Sequence, residues 1–130
     1  MLVWFLRLTA TMFLMAAPAV VMPTSWMRAV AQLHSVDVPD APLVEYLARS
    51  MSALYVMFGV NYWYMSRDVR RYLPLLRFSI WVMFAFDATV IVLDLVIPMP
   101  LLWTLGEVVA LLSWTFAFWW LVRRMESYES

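Results

Sequence analysis

The sequence contains no cysteine, no lysine, only two glycines and a single histidine, His34. Without cysteine there is no disulfide framework, no thiolate metal site and no cysteine nucleophile. The two glycines form no phosphate-binding or dinucleotide-binding pattern, and one histidine cannot supply the paired ligands of a haem. No catalytic triad is recognisable, and nothing in the charge pattern supports nucleic-acid binding. We therefore predict a protein with no catalytic residues and no metal site.

Apolar residues dominate what is present: 65% of the 130 residues are hydrophobic and 14% are charged. A soluble domain of this size could not cover so much apolar surface with polar groups. A transmembrane helix needs about 20 mostly apolar residues. Four segments meet this requirement, at residues 2–22, 42–65, 75–97 and 101–122. We predict an all-α, integral membrane four-helix bundle formed by a single transmembrane domain over residues 1–130.

Prolines and small residues indicate how these helices are arranged. Pro18 is expected to kink the first helix or to end it early. The connection Pro98–Pro100 is so short that the third and fourth helices must form an antiparallel hairpin. In the second helix, Ser52 and Gly59 are small enough to let a neighbouring helix approach closely.

The one sizeable loop, at residues 24–41, contains apolar residues at helical spacing: Trp26, Val30 and Leu33. This pattern predicts a short amphipathic segment that lies in the membrane interface between helices one and two. The alternative is a loop that packs over the mouth of the bundle.

The arginines predict the orientation. With four spans, one side of the membrane holds seven arginines, namely Arg7, Arg67, Arg70, Arg71, Arg77, Arg123 and Arg124. The other side holds only Arg28 and Arg49. By the positive-inside rule, both termini are cytoplasmic, and we expect the bacterial inner membrane. Arg67, Arg70 and Arg71 are then expected to contact anionic lipid headgroups at the membrane surface.

Charged residues inside the predicted spans are the candidate functional site. In this orientation four charged residues lie in the outer third of the membrane: Glu45, Arg49, Asp94 and Glu107. At about 1.5 Å of rise per residue, we expect them within about 5–10 Å of one level. Asp87 lies two turns below Asp94 on the same helix face, near mid-membrane. A guanidinium can bind two carboxylates at once, so we predict that Arg49 binds Asp94 and Glu107 and is capped by Glu45.

Two interpretations of this cluster stay open. Buried charge networks can serve only to fix helix register and partner choice. The excess of acids over bases favours a functional interpretation, because the site carries surplus negative charge unless a proton or a cationic ligand is bound. Asp87 has no base nearby, so we expect it to be protonated or hydrogen-bonded to Tyr55 or Ser113.

Several motifs resemble small bacterial membrane proteins of the DoxX-like group, over the last three helices. The stretches that carry the resemblance are Ala48–Tyr55, Arg67–Leu75 with Arg77–Phe78, Leu93–Asp94 and Met99–Glu107. The residues at the group's recognisable motif positions are Arg49, Tyr55, Asp94, Trp103 and Glu107. Asp87 and the turn Pro98–Pro100 depart from the pattern. The resemblance implies a compact four-helix bundle with no agreed activity. Some relatives in the wider group are linked to quinone-dependent oxidation, and more distant four-helix proteins hold sterol-like ligands among buried acids.

The function that we expect is non-enzymatic: the protein holds a hydrophobic ligand, such as a quinone, lipid or pigment, in an outer-leaflet polar pocket. The side chains expected to hold its polar end are Arg49, Asp94 and Glu107, and those expected along its body are Tyr55, Trp103 and Trp114. The alternative is an accessory subunit of a larger respiratory or photosynthetic membrane complex, in which Asp87 pairs with a neighbouring subunit. Membrane lipids are partners in both cases. A proton relay through the three acids is a third, enzymatic possibility.

Overall fold

The computed structural model describes residues 1–33, 42–97 and 101–127, which form helices and no strand. The helices are α1 (Leu2–Leu14), α2 (Ala17–Val21), α3 (Thr24–Leu33), α4 (Pro42–Met65), α5 (Leu73–Val96) and α6 (Leu101–Glu126). Among these residues, four segments are long and apolar enough to cross a membrane: Leu2–Val21, Pro42–Met65, Leu73–Val96 and Thr104–Glu126. The all-α prediction and the four predicted spans are therefore confirmed.

The helix ends follow local chemistry. The predicted second span coincides with α4. Helix α5 begins two residues earlier than predicted, and Pro74 occupies its first turn, where a missing N–H costs nothing. Helix α6 continues to Glu126, beyond the predicted end at residue 122, with Arg123 and Arg124 in its last turn. Positive side chains there interact favourably with the carboxyl end of a helix.

The first span is interrupted between α1 and α2, as the proline predicted. Pro18 has no N–H to donate to the carbonyl of Leu14, the last residue of α1. The backbone makes two shorter-range hydrogen bonds instead. The Ala16 N–H donates to Phe13 O and the Ala19 N–H donates to Ala16 O, each over 3.1 Å. These bonds span three residues rather than four, so the helix restarts at Ala17 after a tight turn.

The chain forms two compact units. The N-terminal unit is Leu6–Arg67, and the C-terminal unit is Met1–Phe5 with Asp68–Ser130. In the N-terminal unit, α4 approaches α1 closely where Gly59 faces Ala10 and Leu14. This contact confirms the role predicted for Gly59. The Phe13 ring of α1 also stacks on the Tyr55 ring of α4, with 5.7 Å between ring centroids.

In the C-terminal unit, α5 packs against α6 in antiparallel fashion. Arg77, near the start of α5, donates from Nε to Glu126 Oε1, at the end of α6, over 2.7 Å. Further along, the Phe84 ring meets the Phe116 ring edge-on, with centroids 5.4 Å apart. The hairpin prediction for these helices is confirmed, although the connecting residues 98–100 lie outside the described part of the chain.

Buried residues recur along one face of each helix of this hairpin. They are Leu76, Ile80 and Asp87 on α5, and Thr115, Phe118 and Val122 on α6. The spacing of three, four or seven residues is that of one helical face turned toward a neighbour. Phe5 of α1 covers part of α6, with its ring stacked 5.6 Å from that of Phe118.

The loop after the first span does contain a helix, α3, over Thr24–Leu33. Residues 34–41, which are the rest of that loop and include His34, lie outside the described residues. That α3 lies in a membrane interface stays a prediction.

Candidate functional site

Arg49 of α4 binds the end of the broken first span. Its Nη1 donates to Val20 O and its Nη2 to Met22 O, each over 2.9 Å. Val20 belongs to α2 and Met22 follows it, so both carbonyls lie where a helix leaves its last oxygens without partners. The guanidinium therefore supplies the donors that the end of α2 lacks.

Glu45 completes this network from one turn before Arg49. Its Oε1 accepts from Arg49 Nε over 3.0 Å and from Nη2 over 2.8 Å. The same oxygen accepts from Thr24 Oγ1, at the first residue of α3, over 2.7 Å. Arg49 and Glu45 thus join α4 to both α2 and α3.

This network leaves Arg49 little capacity for another ligand. A guanidinium has five N–H donors. Four hydrogen bonds from Arg49 are made inside the N-terminal unit. The Glu45 contact has the predicted spacing along α4. The predicted contacts to Asp94 and Glu107 would join the two units, and they stay a prediction.

The two acids Asp94 and Glu107 come to one level of the α5–α6 hairpin. The contacts between Phe84 and Phe116 and between Arg77 and Glu126 fix the register of the two antiparallel helices. Counting residues forward along α5 and backward along α6 from either contact brings Asp94 opposite the α6 turn that contains Glu107. Both side chains are half-buried. Asp94 Oδ2 is buried and accepts no hydrogen bond from any residue that the structure describes.

Asp87 is buried on the same face of α5, two turns before Asp94, with only 2% of its surface exposed. Its Oδ2 has no hydrogen-bond partner among the described residues. The expected bond from Ser113 is not formed, because the Ser113 hydroxyl donates to the carbonyl of Val109 in its own helix. Short hydroxyl side chains in helices satisfy themselves in this way.

The aromatic residues predicted along a ligand belong to separate contacts. Tyr55 stacks on Phe13 in the N-terminal unit. Trp114 lies against Phe5 in the C-terminal unit, with ring centroids 4.8 Å apart. The third, Trp103, belongs to α6, but its side chain lies outside the described part of the structure.

The predicted surface arginines all belong to the segment that connects α4 to α5 in the sequence. Arg67, Arg70 and Arg71 are exposed, and the Arg71 backbone N–H donates to Asp68 Oδ1 over 3.2 Å. Arg71 also lies over the ring of Tyr72, 5.8 Å from its centroid. Exposed arginines beside aromatic rings suit the headgroup region of a bilayer.

Two residues of these networks were missed by the sequence prediction. Thr24 binds Glu45, and a threonine at the start of an amphipathic segment is a recognisable helix-start signal. Thr115 is fully buried, and its Oγ1 has no partner in the described residues. Nothing in the sequence distinguishes Thr115 from a threonine that bonds its own helix.

Two open grooves lie on the described surface. One is lined by Leu14, Val60, Trp63, Tyr64 and Arg67. The other is lined by Met1, Leu2, Leu121, Arg124 and Met125. Neither contains the predicted carboxylates.

In comparison with known proteins, the sequence matches no family model, no curated protein and no solved structure.

Proposed function

We propose that this chain is a small, non-enzymatic, multi-pass membrane protein that holds a hydrophobic ligand at the carboxyl groups of Asp94 and Glu107. The supporting observation is that Asp94 Oδ2 is buried and has no hydrogen-bond partner in the described part of the chain. A buried acceptor without a donor costs about 1–3 kcal/mol. A ligand hydroxyl or N–H group would remove that cost.

The ligand class follows from the surroundings of this acid. The hairpin segment from residue 78 to residue 122 is apolar except for a few hydroxyls and three acids, Asp87, Asp94 and Glu107. A suitable occupant has a long apolar body and a polar end that donates hydrogen bonds, as quinols and many lipids do. Arg49 is assigned to fixing α2 and α3 against α4, because it donates hydrogen bonds to Val20 O, Met22 O and Glu45 there.

The cellular setting is part of the same proposal. The arginine distribution favours the bacterial inner membrane, with both termini in the cytoplasm. The resemblance to DoxX-like proteins at Arg49, Asp94 and Glu107 is consistent with a ligand of the quinone or sterol-like type. Fold-level resemblance supports an activity only by analogy, so the ligand must be identified directly.

Native mass spectrometry tests the proposal. The protein would be extracted from its own membrane in mild detergent, and its small-molecule adducts would be weighed. We expect a reproducible adduct on the wild type that is lost when Asp94→Asn and Glu107→Gln are combined. Asp68→Asn, at an exposed acid between α4 and α5, is the matched control and should keep the adduct. An adduct that persists in the double variant would contradict the proposal.

A second function, an accessory subunit of a larger membrane complex, is favoured by the outer face of α5. Phe78, Trp81 and Phe86 are all exposed there, with 71% of the Trp81 surface uncovered. Large aromatic side chains on one face suit packing against another protein. Size-exclusion chromatography after extraction separates the two functions, because a self-contained ligand holder stays monodisperse alone, whereas a subunit co-elutes with unlike chains in a much larger assembly.

A further inference from the structure

The groove lined by Leu14, Val60, Trp63, Tyr64 and Arg67 belongs wholly to the N-terminal unit. Val60, Trp63 and Tyr64 lie on one face of α4, and Arg67 follows two residues after the helix ends. The volume of the groove is about 270 Å³. Sites that enclose a whole drug-sized molecule have about 300–1,000 Å³. This open groove therefore suits one part of a larger molecule whose remainder lies outside it.

The chemistry of the groove changes along α4 in the order in which a bilayer changes from its core to its surface. Leu14 and Val60 are apolar, the next two lining residues are the aromatic Trp63 and Tyr64, and the last is Arg67. Seven residues separate Val60 from Arg67, which is about 10 Å along a helix axis. With 24 residues, α4 is long enough to cross the hydrocarbon core and end among the headgroups. Arg67 thus lies at headgroup depth, and Val60 lies at the depth of the acyl chains.

The guanidinium of Arg67 makes no hydrogen bond and no ion pair with any residue that the structure describes. The carbonyls at the end of α4 do not need it. Ser66 serves two of them, because its N–H donates to Tyr62 O over 3.0 Å and its Oγ donates to Trp63 O over 2.7 Å. The backbone N–H of Arg67 donates to Tyr64 O over 3.1 Å. The five N–H donors of the guanidinium are therefore available to a group that enters the groove.

Two charged side chains of the N-terminal unit lie at this end of α4, and both are arginines. One is Arg67, and the other is Arg7 of α1, whose Cζ is 5.9 Å from the centroid of the Trp63 ring. Among the described residues of this unit the one acid is Glu45, in the first turn of α4 at its opposite end. The charge at the polar end of the groove therefore favours an anion, and a guanidinium binds a phosphate through two parallel hydrogen bonds.

We propose that this groove binds one anionic phospholipid from the leaflet at the carboxyl end of α4. The phosphate accepts hydrogen bonds from Arg67, the glycerol region lies beside Trp63 and Tyr64, and one acyl chain lies along Val60 and Leu14. Phospholipids combine an apolar chain and a phosphate at the spacing that the two ends of the groove require. The second chain and the outer headgroup are the parts that the groove leaves in the bilayer and in water.

This site differs from the two lipid and ligand contacts described above. Headgroup contacts of Arg67, Arg70 and Arg71 at the membrane surface require no particular lipid, whereas this site takes one molecule and prefers a negative headgroup. It also goes beyond the ligand proposal and does not depend on it, because Asp94 and Glu107 belong to the C-terminal unit. The double variant at those two acids should keep the phospholipid, so either proposal can fail without the other.

Native mass spectrometry with two lipids of identical chains tests the preference for an anion. We expect the protein in mild detergent to bind one phosphatidylglycerol about tenfold more tightly than one phosphatidylcholine, and Arg67→Gln to remove that preference. Arg71→Gln is the matched control, because it removes the same charge from an exposed arginine outside the groove, and it should keep the preference. Equal binding of both lipids by the wild type, or equal losses in the two variants, would overturn the proposal.

Filling the groove tests the position of the acyl chain. Val60→Trp should weaken phosphatidylglycerol binding about tenfold, because the larger side chain takes the place of the lipid chain. Val82→Trp on α5 is the matched control and should leave binding unchanged, since Val82 is 50% exposed, close to the 56% of Val60, but lines neither groove. Unchanged binding by Val60→Trp would overturn the proposal.

Crosslinking of the wild type in lipid vesicles needs no variant. The probe is a phosphatidylglycerol with a diazirine in one acyl chain, which loses N₂ in light and leaves a carbene that inserts into a neighbouring bond. Peptide mapping should find the lipid on residues 50–67, with loss of the crosslink when unlabelled phosphatidylglycerol is added in excess. Equal labelling of residues 50–67 and 78–123 would overturn the proposal in favour of unspecific contact with the bilayer. Displacement by inorganic phosphate would overturn it in favour of a site for small anions.

Discussion

Gly59 of α4 lies against Leu14 of α1 with no room for a side chain between them. A Cβ added to Gly59 would stand 2.8 Å from Leu14 Cγ and 3.0 Å from the backbone oxygen of Ala10. The backbone oxygen cannot turn aside as the end of a flexible side chain can. The contact between these two helices therefore depends on glycine at this position.

Gly59→Ala is expected to lower the free energy of unfolding by about 1–3 kcal/mol, the usual cost of overpacking. Alanine would otherwise favour a helix over glycine by up to about 1 kcal/mol. Gly106→Ala in α6 is the matched control, because a Cβ there meets no atom of the described residues within 4 Å, and it should leave stability unchanged or raise it. Thermal unfolding in detergent, followed by tryptophan fluorescence, measures both. Equal stabilisation by the two substitutions would contradict the close contact at Gly59.

Arg49→Lys should destabilise the N-terminal unit although it keeps the charge. A lysine ammonium cannot reproduce the planar set of donors that binds Val20 O, Met22 O and Glu45 at once. Because the Arg49 side chain is partly exposed, we expect a loss of about 1–2 kcal/mol in unfolding free energy.

Arg77→Lys is the control for that experiment. Arg77 also binds a carboxylate, Glu126, but its side chain is 61% exposed, and exposed ion pairs contribute about 1 kcal/mol or less. Its unfolding midpoint should barely move. If Arg49→Lys were as mild as Arg77→Lys, the bonds to the carbonyls of Val20 and Met22 would not contribute to stability.

Phe118→Ala should be among the more costly substitutions in the C-terminal unit. Phe118 is fully buried and stacks on Phe5 at 5.6 Å between ring centroids. In a membrane the loss is mainly one of packing, so we expect about 2–3 kcal/mol. Phe78→Ala removes a ring of the same type that is exposed on α5, and it should change the unfolding midpoint little. Similar losses for the two variants would contradict the buried position of Phe118.

Single cysteines can test the proposed orientation cleanly, because the chain has none of its own. Ser25→Cys places a thiol at the start of α3, and Ser127→Cys places one just after α6. A membrane-impermeant maleimide added to intact cells should label the cysteine at position 25 and not the one at position 127. The cysteine at position 127 should be labelled once the cells are lysed. The reverse pattern would place both termini outside.

The spans and the candidate acids could be read from the sequence because they depend on properties of single segments. Long apolar runs predict helices in any arrangement, and Pro18 interrupts the first span because a missing N–H is a local property. The helix ends were predicted less well. Helix α6 continues past residue 122 because Arg123 and Arg124 are good helix formers despite their charge.

The partners of polar side chains could not be predicted, because they depend on helix rotation and register. The sequence predicts that Arg49 binds carboxylates, yet two of its hydrogen bonds go to the carbonyls of Val20 and Met22. These carbonyls can accept them because α2 ends at Val21 and no later turn of the helix uses them. Thr115 is notable only because α6 turns it inward and leaves its hydroxyl without the usual bond.

The sequence by itself determined that this is a multi-pass membrane chain with acids in its spans, since composition and hydrophobic length decide which segments enter a bilayer. The tertiary structure decided that Asp87 lies at the level of Thr115, and Asp94 at that of Glu107. That pairing arises from the antiparallel register of α5 and α6, which the contacts Phe84–Phe116 and Arg77–Glu126 fix across the hairpin. Register is a property of two packed helices together, and a shift of a few residues would pair different side chains without changing the hydropathy of either helix.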